Sequence, residues 1–206
     1  MQTFPFKKHK EFTVFKKLNT PAKVQDFVNT LSVNFEKDGE TCNSPLYVLK
    51  NKSAHCFEGA LVAAATLWYH GRPPLLLDLE TGLNDESHVI APFKENGLWG
   101  AISTTNHAVL RYREPIHKTI RELVLSYFHE YFLDTGIKTL KSFSTKPLDL
   151  TLFDDEWPIA EYPVWGIHDT LVDAPHSPIA PEKALKNLRR ADLIEIQAGK
   201  LTVEKK

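Results

Sequence analysis

Apolar residues recur at helical spacing in the first part of the chain. The segment NTPAKVQDFVNTLSVNF predicts a first helix, because Thr20 can cap it, Pro21 suits the first helical position, and apolar residues follow every three or four positions. The segment CNSPLYVLKNK repeats this arrangement with Ser44 and Pro45. It therefore predicts a second, shorter helix.

A third helix is predicted from about Cys56 to His70, within SAHCFEGALVAAATLWYHGRPPLLLDL. It ends at Gly71, a residue suited to the left-handed conformation at the end of a helix. Small side chains along this helix let neighbouring elements approach closely, and they are Gly59, Ala60, Ala63, Ala64 and Ala65. We expect it to be the central and most buried helix.

The pattern then changes to that of extended structure. PPLLLDL is a short apolar run, SHVIAPFKENGLWGAIS predicts two strands joined by a turn at Glu95 to Gly97, and HAVLRYR predicts a third strand. Strands that follow a buried helix in this way favour an antiparallel sheet packed against helices. The predicted fold class is α+β, with the Cys56 helix packed on an antiparallel sheet.

The rest of the chain combines one long helix with irregular structure. EPIHKTIRELVLSYFHEYFLDTG predicts the longest helix, from Pro115 to near Gly136. Residues 140 to 180 are richer in proline and acidic residues, and the final segment predicts a capped helix and a hairpin near Ala198 to Lys200. We divide the chain into a core with N-terminal helices at residues 1–139 and a C-terminal extension at residues 140–206 that packs on the same domain.

Composition narrows the classes of partner and the compartment. The chain has 206 residues, with 25 Lys and Arg against 26 Asp and Glu, so no overall field favours nucleic acid or an anionic membrane. The basic segment FKKHKEFTVFKK is interleaved with Phe and Glu and is expected to be a solvated surface segment. Because no signal-peptide pattern and no membrane-spanning apolar run is present, we expect a cytoplasmic protein.

The two cysteines, Cys42 and Cys56, differ in setting. Two cysteines in a chain of this length do not make a disulfide framework, so we expect free thiols, with a bridge between them as the less favoured alternative. Cys56 begins the third predicted helix, where unpaired backbone N–H groups and the helix dipole favour a thiolate. The same N–H groups could form half of an oxyanion hole, with the Cys56 amide as the first candidate donor.

A nucleophilic cysteine also needs a base and a group that orients the base. His88 opens the strand HVIAPF, one helix and one strand downstream of Cys56, and this connectivity can bring the two together. Beyond the next turn, GLWGAISTTNH offers Ser103, Thr104 and Asn106 to orient the imidazole. The sequence thus predicts a cysteine–histidine pair with a polar third member.

In this order the residues resemble the transglutaminase-like superfamily, which has a papain-like fold. The family pattern has a cysteine at the head of an alanine-rich helix, a G-I-P segment, a histidine that opens a strand, and a G-W turn before the third residue. Its counterparts here are Cys56, GRPP, His88 and GLWGAIS. Over roughly residues 40–135, HCFEGALVAAATLWYHGRPPLLLDL, HVIAPF and WGAISTTNHAVLRYREP look like a group of bacterial transglutaminase-like proteins.

The chain departs from the family pattern at two positions. Ala54 stands where the family usually has glycine, and Ser103 stands where it usually has aspartate. A serine orients a histidine less strongly than a carboxylate and adds no negative charge to stabilise the imidazolium. Asn106 lies three residues beyond the matching position and is the alternative third member, as asparagine is in papain-like proteases.

The resemblance implies a cysteine enzyme that acts on an amide bond through an acyl-enzyme. Cys56 would attack the carbonyl, His88 would act as base and then as acid, and Ser103 or Asn106 would hold the imidazole. Transfer of the acyl group to an amine and its hydrolysis by a protease or amidase both remain open. Expected partners are a peptide or protein amide substrate and an amine acceptor, without a cofactor, a metal ion, a nucleic acid or a membrane.

Two hypotheses from other classes stand beside this one. The missing aspartate permits a binding or scaffolding module that has kept the fold and lost turnover. A zinc site can be drawn from Cys42, His55, Cys56 and His88, but the cysteines lack Cys-x2-Cys spacing and the histidines lack a ligand repeat. The third position of the proposed triad is the feature that separates the enzyme from the binding module.

Overall fold

The computed structural model describes residues 3–37, 39–82 and 85–203. Its helices are α1 (Pro21–Val28), α2 (Pro45–Asn51), α3 (Cys56–Tyr69), α4 (Ile120–Phe128), α5 (Trp165–Val172), α6 (Glu182–Leu185) and α7 (Leu193–Gly199), with short 3-10 helices at Glu11–Lys17 and Leu150–Leu152. Its strands are β1 (Ser32–Val33), β2 (Ser53–Ala54), β3 (Leu75–Thr81), β4 (His88–Glu95), β5 (Leu98–Ser103), β6 (Arg113–His117), β7 (Leu140–Ser144), β8 (Leu148–Asp149) and β9 (His176–Pro178). The protein is therefore mixed α+β, as the sequence predicts at this level.

The main sheet is antiparallel and has the strand order β6-β5-β4-β3-β7-β9, with β8 also paired to β3. Strands β4 and β5 form the predicted hairpin, in which Glu95 pairs with Leu98. Asn96 and Gly97 both have positive φ, 49° and 81°, which is the conformation that a two-residue hairpin turn requires. The short strands β1 and β2 pair in parallel apart from this sheet.

Helices cover both faces of the sheet. On one face, α3 packs its buried apolar residues against alternate sheet positions such as Leu76, Ala91 and Ile102. On the other face, α4 packs Leu123 and Val124 against the intervening sheet residues, among them Leu77, Ile90 and Ala101. Strand β4 is buried from His88 to Phe93 because it lies between these two layers.

The predicted starts of α1 and α2 and the predicted end of α3 are confirmed, whereas α1 ends at Val28, well before the end of the segment that predicts it. The Thr20 hydroxyl accepts a hydrogen bond from the Lys23 N–H at 3.3 Å, and the Ser44 hydroxyl accepts one from the Tyr47 N–H at 3.3 Å. Gly71 has a φ of 79° just after α3. These local signals work because each is satisfied within one turn of helix.

The basic N-terminal segment is more deeply embedded than its sequence predicts. The lysines of FKKHKEFTVFKK are exposed, but Phe12 and Phe15 within it, and Phe4 just before it, are at most 2 % exposed. The Phe4 ring packs edge-on against Trp68 of α3 at 5.4 Å between centroids. The aromatic residues therefore belong to the core, and only the charged residues between them form the solvated surface.

The prediction of a strand over HAVLRYR and of a long helix from Pro115 is wrong in both position and length. The strand β6 spans Arg113–His117 and pairs with β5, and the helix α4 begins only at Ile120. The Thr119 hydroxyl accepts a hydrogen bond from the Glu122 N–H at 3.1 Å and so caps this helix. Ile116, which the helical pattern places on an apolar stripe, is 70 % exposed on the strand.

The chain after residue 140 contributes directly to the main sheet. Strand β7 pairs with β3, with Leu79 opposite Phe143, and β9 pairs with β7. The predicted hairpin near Ala198 to Lys200 is wrong, because Leu193–Gly199 forms the helix α7, capped at Asp192 by a capping box. The last three residues of that predicted hairpin lie outside the described residues.

Candidate active site

Cys56 is the first residue of α3 and lies at the base of a cleft of about 890 Å³. The first intrahelical bond runs from the Gly59 N–H to the His55 carbonyl at 2.9 Å, so the N–H groups of the first turn precede the helical ladder. Cys56 is a free thiol and, taken as a whole residue, is partly exposed. The fold thus presents this sulfur at the positive end of its most buried helix.

His88 and Ser103 lie beside this sulfur at the same end of the β4–β5 hairpin. His88 is hydrogen-bonded to the Cys56 side chain, and its Nε2 lies 2.7 Å from the Ser103 hydroxyl oxygen. The Ser103 hydroxyl donates its one proton to the Leu110 carbonyl at 2.5 Å, so it accepts from His88. His88 Nε2 therefore carries a proton, which leaves Nδ1 to exchange a proton with the thiol.

Ser103 is held from two sides. The Gln25 side chain of α1 donates to the Ser103 carbonyl at 2.8 Å and accepts from its N–H at 2.9 Å. Leu110 has a φ of 59°, a conformation that a residue with a side chain adopts at an energetic cost. The Leu110 N–H donates to the Glu130 carboxylate at 2.8 Å, which helps to hold its carbonyl toward Ser103.

A second histidine, His55, is also hydrogen-bonded to the Cys56 side chain. Its Nε2 lies 3.1 Å from the Thr41 carbonyl oxygen and 3.5 Å from a Glu58 carboxylate oxygen. Glu58 is fully buried and accepts hydrogen bonds from Asn34, Thr41, Asn43 and the His55 N–H. Burial opposes its ionisation, but His55 and these donors lower the pKa of the Glu58 carboxyl to about 2.

These contacts determine the ionisation of the Cys56 thiol. Burial opposes charge on the sulfur, but hydrogen bonds from His55 and His88, the electrostatic influence of His88 and the Val89 N–H lower the pKa of Cys56 to about 5. Burial also opposes charge on His55, yet its bonds to Cys56 and Glu58 raise the pKa of that imidazole to about 10. Cys42 is the contrast, since burial and then the charge of Glu58 raise the pKa of its thiol to about 12.

The structure brings together three of the predicted site residues, Cys56, His88 and Ser103. Asn106 lies on the cleft wall, and its carbonyl accepts a hydrogen bond from the Val203 N–H at 2.7 Å. The hydrogen bond of His88 Nε2 goes to Ser103, not to Asn106. Thr104 packs against Gly59 of α3 so closely that a Cβ at Gly59 would lie 2.0 Å from its hydroxyl oxygen.

Sequence reasoning missed the supporting residues Gln25 and Glu58, and it named His55 only as one ligand of the zinc site that can be drawn from the cysteines and histidines. The separation of three residues between His55 and Glu58 is that of a capping box, and it is the local signal that could have indicated their contact. Gln25 carries no such signal, because its partner Ser103 is distant in sequence. Residues after 140 also line the cleft, including Trp165 and His168 of α5.

Asp78 adds a buried acid to the cleft wall. Its carboxylate lies 3.1 Å from His176 Nε2, and His176 Nδ1 donates to the Ala174 carbonyl at 2.6 Å. Burial raises the pKa of Asp78, while the contact with His176 opposes that shift. This pair connects β3 to β9.

Neither the protein-family models nor the curated proteins that were compared with this chain give a match. Within residues 3–37, 39–82 and 85–203, no cluster of three or more His, Cys, Asp or Glu side chains is arranged to hold a metal ion. Over the same residues, no helix has the length and apolar character needed to cross a membrane. The chemistry of the site is therefore the basis on which a function can be proposed.

Proposed function

We propose that this protein is a cysteine enzyme of the transglutaminase-like type that acts on an amide bond through an acyl-enzyme. One observation carries the proposal. Cys56 is a partly exposed residue at a helix N-terminus that lines the cleft. His88 is hydrogen-bonded to the Cys56 side chain, and Ser103 is hydrogen-bonded to Nε2 of His88. Nucleophile, base and orienting group are thus aligned in the order that acyl transfer requires.

The first half of the reaction forms a thioester. The Cys56 sulfur attacks the amide carbonyl carbon, and backbone N–H groups of the first turn of α3, the Cys56 amide first among them, stabilise the oxyanion. The bond from the carbonyl carbon to nitrogen then breaks, and His88 Nδ1 gives its proton to the departing amine. Ser103 accepts from Nε2 throughout and so holds the imidazole in the tautomer that this transfer needs.

The second half regenerates the thiolate. An amine or a water molecule gives a proton to His88 Nδ1 and attacks the thioester, and the sulfur leaves as the thiolate. The cleft wall carries the carboxylates of Glu36, Glu40, Asp85 and Glu86, and it also carries the cationic side chains of Arg111 and Lys200. This balance favours a neutral or cationic substrate, which fits an amine acceptor.

The fold assignment belongs to the same proposal. Support comes from a nucleophile helix packed on an antiparallel sheet, with the base at the start of one strand and Ser103 at the end of its hairpin partner. The residue patterns over roughly residues 40–135 point in the same direction. Ser103 is the departure, since it replaces the family's usual aspartate and orients the histidine without a negative charge.

The test is an activity measurement with two products. Wild-type protein is incubated with glutamine-containing peptides and a primary alkylamine, and both ammonia release and amine incorporation are measured by mass spectrometry. Cys56→Ala is the nucleophile control and Cys42→Ala is the matched control on the buried thiol. We expect products with wild type and Cys42→Ala but not with Cys56→Ala; identical product levels in wild type and Cys56→Ala would contradict the proposal.

A binding or scaffolding module on the same fold is the second candidate, and Ser103 is the observation that favours it. A serine contributes no charge to the imidazolium, so turnover is weaker than with a carboxylate. The two candidates differ in what happens to a bound peptide. A module retains the peptide unchanged with wild type and with Cys56→Ala, whereas the enzyme converts it only when Cys56 is present.

A further inference from the structure

The contacts of His55 fix the proton on one of its ring nitrogens. Three oxygen atoms face Nε2, those of the Thr41 carbonyl at 3.1 Å, the Glu58 carboxylate at 3.5 Å and the Glu36 carboxylate at 3.7 Å. A carbonyl and two carboxylates only accept hydrogen bonds, so Nε2 carries a proton. With Nε2 committed to these oxygens, Nδ1 is left for the Cys56 sulfur.

Glu58 requires a nearby positive charge. Its side chain has no exposure, and an ionised carboxylate in such a position is costly unless it is paired and fully hydrogen-bonded. Asn34, Thr41 and Asn43 supply neutral donors, and the His55 ring lies beside it as a group that can become a cation. A protonated His55 therefore completes the pair, and its second N–H points to the sulfur.

We propose that His55 is a second catalytic histidine, a cation fixed by Glu58 that stabilises the Cys56 thiolate independently of His88. This role rests on the proposed function and deepens it. Among the residues that the structure describes, the charged or titratable groups in contact with His55 are Glu58 of α3, Glu36 of the segment after β1, and the Cys56 sulfur itself. His88 is also hydrogen-bonded to the Cys56 side chain, but its other hydrogen bond goes to Ser103, which is not part of the network around Glu58.

Because two histidines contact one sulfur, one can transfer protons while the other stabilises the thiolate. His88 gives its proton to the departing amine and later takes one from the incoming amine or water, so its charge changes during the reaction, whereas the charge of His55 stays fixed. When the acyl group is released, the sulfur leaves as a thiolate, and the fixed cation of His55 lowers the cost of that step. Thiolate stabilisation and proton transfer are thus assigned to different side chains.

The test is the pH dependence of Cys56 alkylation by iodoacetamide, followed from pH 4 to 10 by peptide mass spectrometry. The proteins are wild type, His55→Gln, His88→Gln and the double variant, and thermal unfolding checks that each is folded. His168→Gln is the matched control, because His168 lines the same cleft and packs on Phe57, not on the sulfur. Glutamine keeps a polar side chain at each position and removes the charge.

We expect His88→Gln to keep a midpoint well below the free-thiol pKa of about 8.5, His55→Gln to raise the midpoint by at least about one unit, and the double variant to approach 8.5. A His88→Gln midpoint near 8.5 together with an unchanged His55→Gln midpoint would overturn the role of His55 and leave the Cys56–His88 pair intact. A wild-type midpoint at or above 8.5 would overturn the role of His55 and the proposed function together. Loss of product formation in His55→Gln with the wild-type alkylation midpoint would also count against thiolate stabilisation by His55.

Discussion

At the scale of single residues, the site depends on where protons are held. Ser103 has one proton, which goes to the Leu110 carbonyl, and this forces His88 to be the donor in the bond between them. A neutral serine thereby reproduces the orienting part of a carboxylate's role but not its charge. His55, which is paired with Glu58, is the second histidine hydrogen-bonded to the sulfur.

The first prediction concerns the choice between Ser103 and Asn106. Ser103→Ala removes the acceptor from His88 Nε2, and the loss of a hydrogen bond to a charged imidazole, about 1.5–3 kcal/mol, slows acylation of Cys56 about 10- to 150-fold. Asn106→Ala is the matched control and changes the rate less than about twofold, within the range of surface substitutions. Stopped-flow acylation by an activated ester measures both, and a larger effect for Asn106→Ala would contradict the assignment.

The second prediction concerns the pH dependence of stability through Glu58. Its pKa is lowered from 4.5 to about 2, so the unfolded state binds the proton more tightly, and the stabilising contribution is present above pH 4.5 and is lost as the pH falls toward 2. Denaturant unfolding should therefore give wild type a free energy of unfolding about 3 kcal/mol higher than that of Glu58→Gln at pH 7. This difference in the free energy of unfolding narrows toward pH 2.5. A gap that stays constant over this range would show that Glu58 does not act through its charge.

At the scale of secondary structure, close approach between α3 and the end of β5 keeps the site together. Gly59 lies inside α3, where glycine is unfavourable compared with alanine. Thr104 explains why a glycine stands here, because the Thr104 side chain occupies the space that a side chain at position 59 would need. Thr104 is also the residue directly after Ser103. The helix and the orienting serine are therefore linked by this contact.

The third prediction follows from this contact. Gly59→Ala places a Cβ 2.0 Å from the Thr104 hydroxyl oxygen, so overpacking costs about 1–3 kcal/mol and the alkylation midpoint of Cys56 rises. Gly166→Ala in α5 is the matched control, since nothing lies within 4 Å of the position that its added methyl group would take, and it is neutral or stabilising by up to about 1 kcal/mol. Thermal unfolding and alkylation test both; equal effects of the two substitutions would contradict the role assigned to Gly59.

Sequence patterns predict the elements whose signals are local. Thr20, Ser44 and Gly71 mark helix ends, and Asn96 with Gly97 marks the hairpin, because each acts within one turn. The sequence pattern does not predict the strand β6, because the strand has few apolar residues and because Pro115 suggests the start of a helix. The sequence pattern does not predict strands β7 and β9 either, because they pair with segments that are distant in sequence and no local pattern specifies such a partner.

The residues of the candidate site also fall into two groups, those with a local sequence signal and those without one. Cys56 and His88 are predictable because their chemistry depends on a helix start and a strand start, both of which the pattern locates. The contacts of Gln25 with Ser103 and of Thr41 with His55 depend on tertiary closure of separate segments. They are therefore visible only in the folded chain.

At the scale of the whole molecule, the chain after residue 140 is part of the same core. Strand β7 lies between β3 and β9, and Leu171 of α5 is fully buried in the cluster that contains α3. Helix α7, in contrast, has no buried residue. The two parts of the C-terminal region therefore contribute unequally to the free energy of unfolding.

The fourth prediction tests this inequality by truncation. A chain of residues 1–139 loses β7, β9 and α5, exposes one edge of β3, and does not unfold cooperatively. A chain of residues 1–191 loses only α7 and the residues after it, and keeps a cooperative transition within a few degrees of wild type. Circular dichroism during thermal unfolding distinguishes them, and a cooperative transition for residues 1–139 would contradict the prediction.

The most direct test of the proposed site is whether Cys56 becomes acylated. Wild-type protein is mixed with an activated ester at pH 6, where a free thiol is almost fully protonated, and the adduct is located by intact-mass and peptide mass spectrometry. We predict one acyl group per chain, on Cys56, formed much more slowly in His88→Gln and absent from Cys42. Failure to acylate Cys56, or acylation no faster than that of a free cysteine at the same pH, would contradict its assignment as the nucleophile.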